Sequence, residues 1–215
     1  MVQKAIIYHI LKTPSAHQKL VQELRSSNYA FPASYHIAEK LPYLTACIKE
    51  GMRIHPVLGH ILERVVPSSG LTLADGTVLP PGTIVGINPW VLHYNEEVFG
   101  PETDKFIPAR WLQNNGESDE EYEARTKRMK DCDMSFGNGN RVCMGRPLAL
   151  MELYKVTATL FQRYDIRLEN QEKEWHVNKQ WFVWPSDIKV KMDLAKEYGN
   201  RAMVGQQQNT VGNDF

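Results

Sequence analysis

The sequence predicts an α+β fold, mainly helical, with small antiparallel sheets. Three observations carry this expectation. Apolar residues recur at helical spacing in the first quarter and again after residue 149. Alternating segments cut by glycine and proline turns lie between Ile61 and Ile87. The composition, 42% hydrophobic and 23% charged over 215 residues, is rich enough to bury a core. With no internal repeat and no dividing linker, residues 1–198 are expected to form one domain and the Gln- and Asn-rich stretch 199–215 a disordered tail.

Ala5, Ile6, Ile7, Tyr8, Ile10 and Leu11 read as a helix already under way, without a polar lead-in. Thr13 is suited to cap a second helix with Pro14 at its first position, running through Leu20, Val21 and Leu24 to the Ser26-Ser27-Asn28 break. A third spans 42–55, with Leu44, Cys47, Ile48 and Met52 on one face and Pro56 closing it. Leu62, Arg64 and Val66 then alternate, and the Asp75-Gly76 and Pro80-Pro81-Gly82 turns fold the chain into a small sheet. A short helix over 89–94 precedes long irregular chain over 95–115. Ser118 with Glu121 makes a capping box for an exposed helix, acidic at its start and basic at its end. Ala149, Leu153, Val156 and Leu160 mark a last helix, expected to start at Cys143. Residues 164–168 alternate as a strand, and 181–184 with 188–192 are expected to pair as a hairpin.

Lys plus Arg number 25 and Asp plus Glu 25, so no basic surface points to nucleic acid or an anionic membrane. Three cysteines, Cys47, Cys132 and Cys143, are too few for a disulfide scaffold, and an odd thiol fits a chemical role. No apolar run approaches the ~18 residues of a membrane span, and the first residues lack the marks of a signal peptide, so no anchor or export signal is expected within this chain. Among the seven histidines no spacing supports a zinc site, and His60 reads as a polar residue at a strand edge.

The segment Phe136-Gly137-Asn138-Gly139-Asn140-Arg141-Val142-Cys143-Met144-Gly145 presents a thiol on a glycine-punctuated loop before a helix. Free backbone N–H groups and a neighbouring cation favour the ionised, metal-binding form of such a thiol. Gly139 and Gly145 let the backbone turn or a flat ligand approach, Phe136 is placed to shield the sulfur, and Arg141 offers a forked donor to a carboxylate.

This loop resembles that of the cytochrome P-450 haem-thiolate monooxygenases, whose pattern F-x-x-G-x-R-x-C-x-G is met at Phe136, Gly139, Arg141, Cys143 and Gly145. Glu50-Gly51-Met52-Arg53 resembles the family's E-x-x-R, and Phe106-Ile107-Pro108-Ala109-Arg110-Trp111 its F-x-P-x-R-[WF] segment. The resemblance implies the C-terminal part of the cytochrome P-450 fold, in which Glu50, Arg53 and Arg110 form a buried scaffold. It also implies haem b held by Cys143 as axial ligand, with Phe136, Gly139, Arg141, Gly145 and Arg64 binding the cofactor. His93 is implied as a polar haem-side residue. Residues 57–61 and Trp181 with Phe182 fall where the family lines its substrate pocket, and plain core packing serves them equally well.

The implied activity is insertion of one atom of O2 into a small apolar substrate, with electrons from an NADPH-dependent reductase or other electron donor. The resemblance is to the eukaryotic type, fungal members included, but the long distal helix with its acid-alcohol pair, the earlier helices and the membrane anchor usual in eukaryotic members are not matched. The chain is therefore expected to be a fragment that holds the thiolate side and does not turn over alone. A non-catalytic haem-binding remnant and a haem-thiolate isomerase or dehydratase are the alternatives.

Overall fold

The computed structural model describes residues 1–27, 29 and 31–196. The expected tail, 199–215, lies outside them. Helices α1 (Val2–Lys12), α2 (Pro14–Ser26), α3 (Tyr35–Ala38) and α4 (Pro42–Ile54) lead the chain. α4 is the hub: it packs on α1, α2 and the last helix, and it is buried on nearly every face from Leu44 to Ile54. Ile6, Ile10, Leu20, Leu24, Ile48 and Phe161 fill the core around it, each such side chain contributing roughly 1.5–3 kcal/mol on burial. Gly51 permits the closest approach, since a Cβ there would lie 2.5 Å from Ile6 Cγ1.

Thr13 precedes α2 but makes no side-chain cap bond, contrary to expectation. The helix start rests instead on Pro14 at the first position, whose ring fixes the helical φ and whose missing N–H leaves one fewer donor to satisfy. α4 is capped from another element. Its own N-cap is Leu41, and the Glu23 carboxylate on α2 accepts from the N–H groups of Tyr43 and Leu44, both at 2.8 Å.

Strands β1 (Leu62–Val65), β2 (Leu71–Thr72), β3 (Val78–Leu79) and β4 (Ile84–Ile87) form two antiparallel pairs, β1 with β4 and β2 with β3. Short helix α5 (Pro89–Leu92) forms where it was expected, while α6 (Glu96–Phe99) and a 3-10 turn (Pro108–Trp111) interrupt what the sequence suggested was irregular chain. Asn88 and Asn95 cap α5 and α6 through their side-chain oxygens. Helix α7 (Asp119–Asp131) carries the expected capping box, Ser118 Oγ accepting from Glu121 N at 3.2 Å and Glu121 accepting from Ser118 N at 2.9 Å.

Helix α8 (Arg146–Arg163) starts three residues beyond Cys143 rather than at it. A separate turn comes first, closed by Arg146 N donating to Cys143 O at 3.2 Å, with Gly145 as N-cap. The last strands also pair differently from expectation. β5 (Tyr164–Leu168) takes β8 (Val190–Leu194), and β6 (His176–Lys179) takes β7 (Val183–Ser186), so no hairpin joins 181–184 to 188–192. Buried Ile166 and Leu168 of β5 set that choice by facing the helical core, and Arg167 pairs with Asp193 across the same ladder at 2.7 Å. Among the described residues no helix is long and apolar enough to cross a membrane.

Candidate functional site

Three pieces of chain meet around the cysteine loop. The loop is entered at Met134, whose N–H donates to His93 Nε2 at 2.8 Å, and turns at Gly137 and Gly139, both with φ near +70°. A side chain at either position would be strained by the left-handed backbone alone. The Asn138 side chain accepts from Gly139 N at 2.7 Å, residues Gly139–Arg141 form a single 3-10 turn, and Cys143 N donates to Phe136 O at 2.9 Å. That last bond closes the loop and leaves the Cys143 thiol exposed.

Around the thiol the surface is apolar and open: Val142 and Leu148 are exposed, and Met144 is 97% exposed. Phe136 does not by itself shield the sulfur as expected. Its ring is half-buried and lies under the Arg146 guanidinium at 5.9 Å. Gly145 has an ordinary φ of −78°, and a Cβ there would sit 3.7 Å from Cys143 Sγ, so its value is bare space beside the sulfur rather than a special turn.

Between this loop and the β1–β4 sheet lies a cleft of about 690 Å³ lined by Leu62, Arg64, Val85, Ile87, Asn138 and Gly139 among others. Arg64 is the charged residue on that wall. Its guanidinium donates to its neighbour's carbonyl, Glu63 O, at 2.7 Å, and neither it nor Arg141 pairs with a carboxylate among the described residues. The donor set suits a flat, largely apolar group with anionic arms: apolar walls, glycines at the loop's turns, two forked cations without a carboxylate partner among the described residues, and a free thiol.

Behind the loop sits the ionic network. Glu50 and Arg53 are 0% and 1% exposed, and Glu50 accepts from Arg53 Nε at 2.9 Å and Nη2 at 2.8 Å. Arg110 Nε donates to the same carboxylate at 2.9 Å, as do Ile107 N at 3.0 Å and Trp111 Nε1 at 2.9 Å. The remaining guanidinium donors go to carbonyls: Arg53 to His93 O at 2.9 Å, Arg110 to Phe99 O at 2.5 Å. Burial pushes the Glu50 carboxyl up, but hydrogen bonds and charge from Arg53, then Arg110 and Ile107 N–H, outweigh it and hold the group below the usual carboxylate range.

His93 was expected on the haem side and is found instead inside this scaffold. Its Nδ1 faces Arg53 O at 3.1 Å, so it carries the proton, and Nε2 accepts from Met134 N–H; both nitrogens are committed to protein backbone. Residues 57–61 and Trp181 with Phe182, far apart in sequence, do meet. Leu58 bridges to Phe182, Gly59 N donates to Trp181 O at 3.0 Å, and His60 stacks on Trp181 at 5.1 Å. Sequence reasoning missed the roles of Trp111 and His93 in the scaffold. The Trp at the end of the second motif was the available signal for the first; nothing local signalled the second.

A scaffold of buried Glu and Arg thus backs a glycine-framed cysteine loop. A family model for cytochrome P450 matches residues 1–192, and the chain belongs to that family. It is 38% identical over 192 residues to cytochrome P450 monooxygenase cicH of Emericella nidulans, covering 87% of this chain and 37% of that protein. It is 38% identical over 208 residues to cytochrome P450 monooxygenase cfoH of Aspergillus candidus, covering 91% and 39%. With cytochrome P450 monooxygenase ACRTS1 of Alternaria alternata it shares 34% identity over 198 residues, 90% of this chain and 50% of that protein. The chain thus spans between about a third and a half of the length of these relatives.

Proposed function

We propose that the chain supplies the cysteine-loop side of a haem-thiolate monooxygenase, in which Cys143 would hold the iron of haem b. The carrying observation is the exposed thiol on a loop that positive-φ glycines and the closing Cys143 N–Phe136 O bond shape, and whose Asn138 and Gly139 line a largely apolar cleft. When bound, haem b supplies a redox-active iron that, with electrons from an NADPH-dependent reductase or other donor, inserts one atom of O2 into a small apolar substrate.

The chain's own residues do the rest. Arg64 and Arg141 neutralise and orient the cofactor's carboxylates, Gly139 and Gly145 keep side chains out of its way, and Phe136 packs at the base of the loop. Leu62, Val85 and Ile87 exclude water from the face they line. The Glu50–Arg53–Arg110 network acts through position, fixing the loop's backing rather than touching the reacting atoms. Trp181 and Phe182, both exposed beside residues 57–61, offer an apolar wall to the substrate.

The test is the spectrum of the reduced, carbon monoxide-treated, haem-loaded protein for each Cys→Ser variant. The thiolate-type Soret band should vanish in Cys143→Ser and persist in Cys47→Ser and Cys132→Ser; its persistence in Cys143→Ser would overturn the assignment.

A further inference from the structure

Tyr8 stacks face to face on Trp175, ring centroids 4.1 Å apart and planes 6° from parallel. The ring contacts continue from Trp175 to His55 at 5.1 Å, from His55 to Trp90 at 5.6 Å, and from Trp90 to Tyr94 at 6.1 Å. Phe or Leu would serve apolar packing at these places, yet four of the five rings are of the kinds that give up an electron. Trp90 and Tyr8 differ chemically. Trp90 stands three residues after Ile87 of the cleft wall, and its Nε1 is buried without a hydrogen-bond partner. Tyr8, only 3% exposed, donates its phenol proton to Glu174 Oε2 at 2.6 Å, and the Glu174 side chain is 73% exposed and paired with Lys12 at 2.7 Å.

A phenol that loses an electron becomes strongly acidic, so it is oxidised easily where a base already holds its proton. Glu174 is that base and it opens to water. Hydrogen bonds from Lys12 and then Tyr8 hold its carboxyl below the usual range, so it is ionised and able to accept. An indole N–H with no acceptor cannot settle a positive charge by losing its proton, so at Trp90 the charge passes on.

We infer that these rings form an electron-donating chain that drains oxidising equivalents from the cleft side to the Tyr8–Glu174 pair, whose carboxylate is open to solvent. A one-electron oxidant takes an electron from the indoles and is reduced by one electron. Tyr8 then returns an electron to Trp175 while its O–H bond breaks and the proton forms a new O–H bond on Glu174. The product is a neutral tyrosyl radical beside a carboxylic acid. A soluble one-electron reductant such as ascorbate or a thiol restores the phenol, the proton coming back from Glu174. That the cleft-side oxidant arises from haem chemistry rests on the function proposed above; the chain of rings does not.

Flash photolysis with tris(bipyridyl)ruthenium and persulfate generates a strong one-electron oxidant without any iron. This keeps failure of the inference separate from failure of the haem assignment. Transient absorption and freeze-quench electron paramagnetic resonance of the chain should show tryptophan radical giving way to a neutral tyrosyl radical. The part of that tyrosyl signal that depends on Tyr8, defined by Tyr8→Phe, should be lost in Glu174→Gln and in Trp175→Phe, and the tryptophan radical should live longer in Tyr8→Phe. Phe keeps a ring in the stack and Glu174 is exposed, and circular dichroism of each variant confirms that it is folded. A tyrosyl signal unchanged in Tyr8→Phe, or a Tyr8-dependent signal unchanged in Glu174→Gln or Trp175→Phe, would overturn the inference.

Discussion

Trp111 donates its indole N–H to Glu50 Oε2 at 2.9 Å, which makes the ring at the end of the second motif a member of the ionic network and not merely its neighbour. Five hydrogen bonds therefore converge on one buried carboxylate: two from Arg53 and one each from Arg110, Ile107 N and Trp111. Removing one charged member strands the others, at a cost of about 3–5 kcal/mol for Glu50→Ala or Arg53→Ala. The double variant should cost well below the sum of the two. Trp111→Phe keeps the ring and loses one bond to a charged acceptor, about 2 kcal/mol. Urea midpoints of the four variants and the unsubstituted chain measure all of this, and strict additivity of Glu50→Ala and Arg53→Ala would show the groups to be independent.

Acid should unfold the protein early. Burial, with a contribution from the nearby His55 charge, pushes His9 down to about 3, and burial pushes His55 down to about 4. Below their ordinary value of ~6.5 the unfolded chain binds protons that the folded chain refuses, so stability falls by roughly 1.4 kcal/mol per pH unit for each histidine. The loss from His55 stops growing near pH 4, where it charges in the folded state too. Glu50 acts in the same direction: its lowered carboxyl contributes stability above the unfolded carboxylate range, and that stability is lost as pH falls through the folded value. Urea unfolding compared between about pH 7 and about pH 5 should show this slope, reduced by one histidine's share in His9→Phe.

Gly51→Ala should destabilise by about 1–3 kcal/mol, because the new methyl would lie 2.5 Å from Ile6 Cγ1 and 3.2 Å from Ile6 Cα, forcing α1 away from α4. Thermal unfolding reads the cost. No loss in melting temperature would mean that the two helices are free to separate.

The thiols should separate by reactivity. Cys143 is exposed, Cys132 half-buried and Cys47 buried, with burial pushing the Cys47 thiol well up. A disulfide reagent should modify Cys143 first, Cys132 more slowly and Cys47 only on unfolding. Addition of haem should protect Cys143 alone, a pattern that mass spectrometry of labelled peptides resolves.

Much of this was legible locally. The capping box of Ser118 and Glu121, the Asp75-Gly76 turn and the stripe of α4 depend on residues a few positions apart, and each forms as the sequence suggests. The pairing of β8 with β5 was not legible, because strand 190–194 alternates equally well for either partner and the choice is made by Ile166 and Leu168 entering a core built from distant helices. Glu23 capping α4 across twenty positions, and His93 bridging to Met134 across forty-one, leave no mark at short range. In the candidate site, the glycines and the cysteine declared themselves by spacing. The real surroundings of Phe136 and Gly145 depended on where α8 begins.

His93 has a consequence for protein engineering. One imidazole, fixed with its proton on Nδ1, holds the carbonyl of Arg53 on one side and the N–H of Met134 on the other. A loop cut out at 134–145 and grafted onto a foreign scaffold would carry its thiol but leave its alignment behind. The portable unit is larger: the loop together with residue 93 and the C-terminal turn of α4. A substitute at position 93 must offer a donor and an acceptor pointing in opposite directions, which Phe and Leu cannot do.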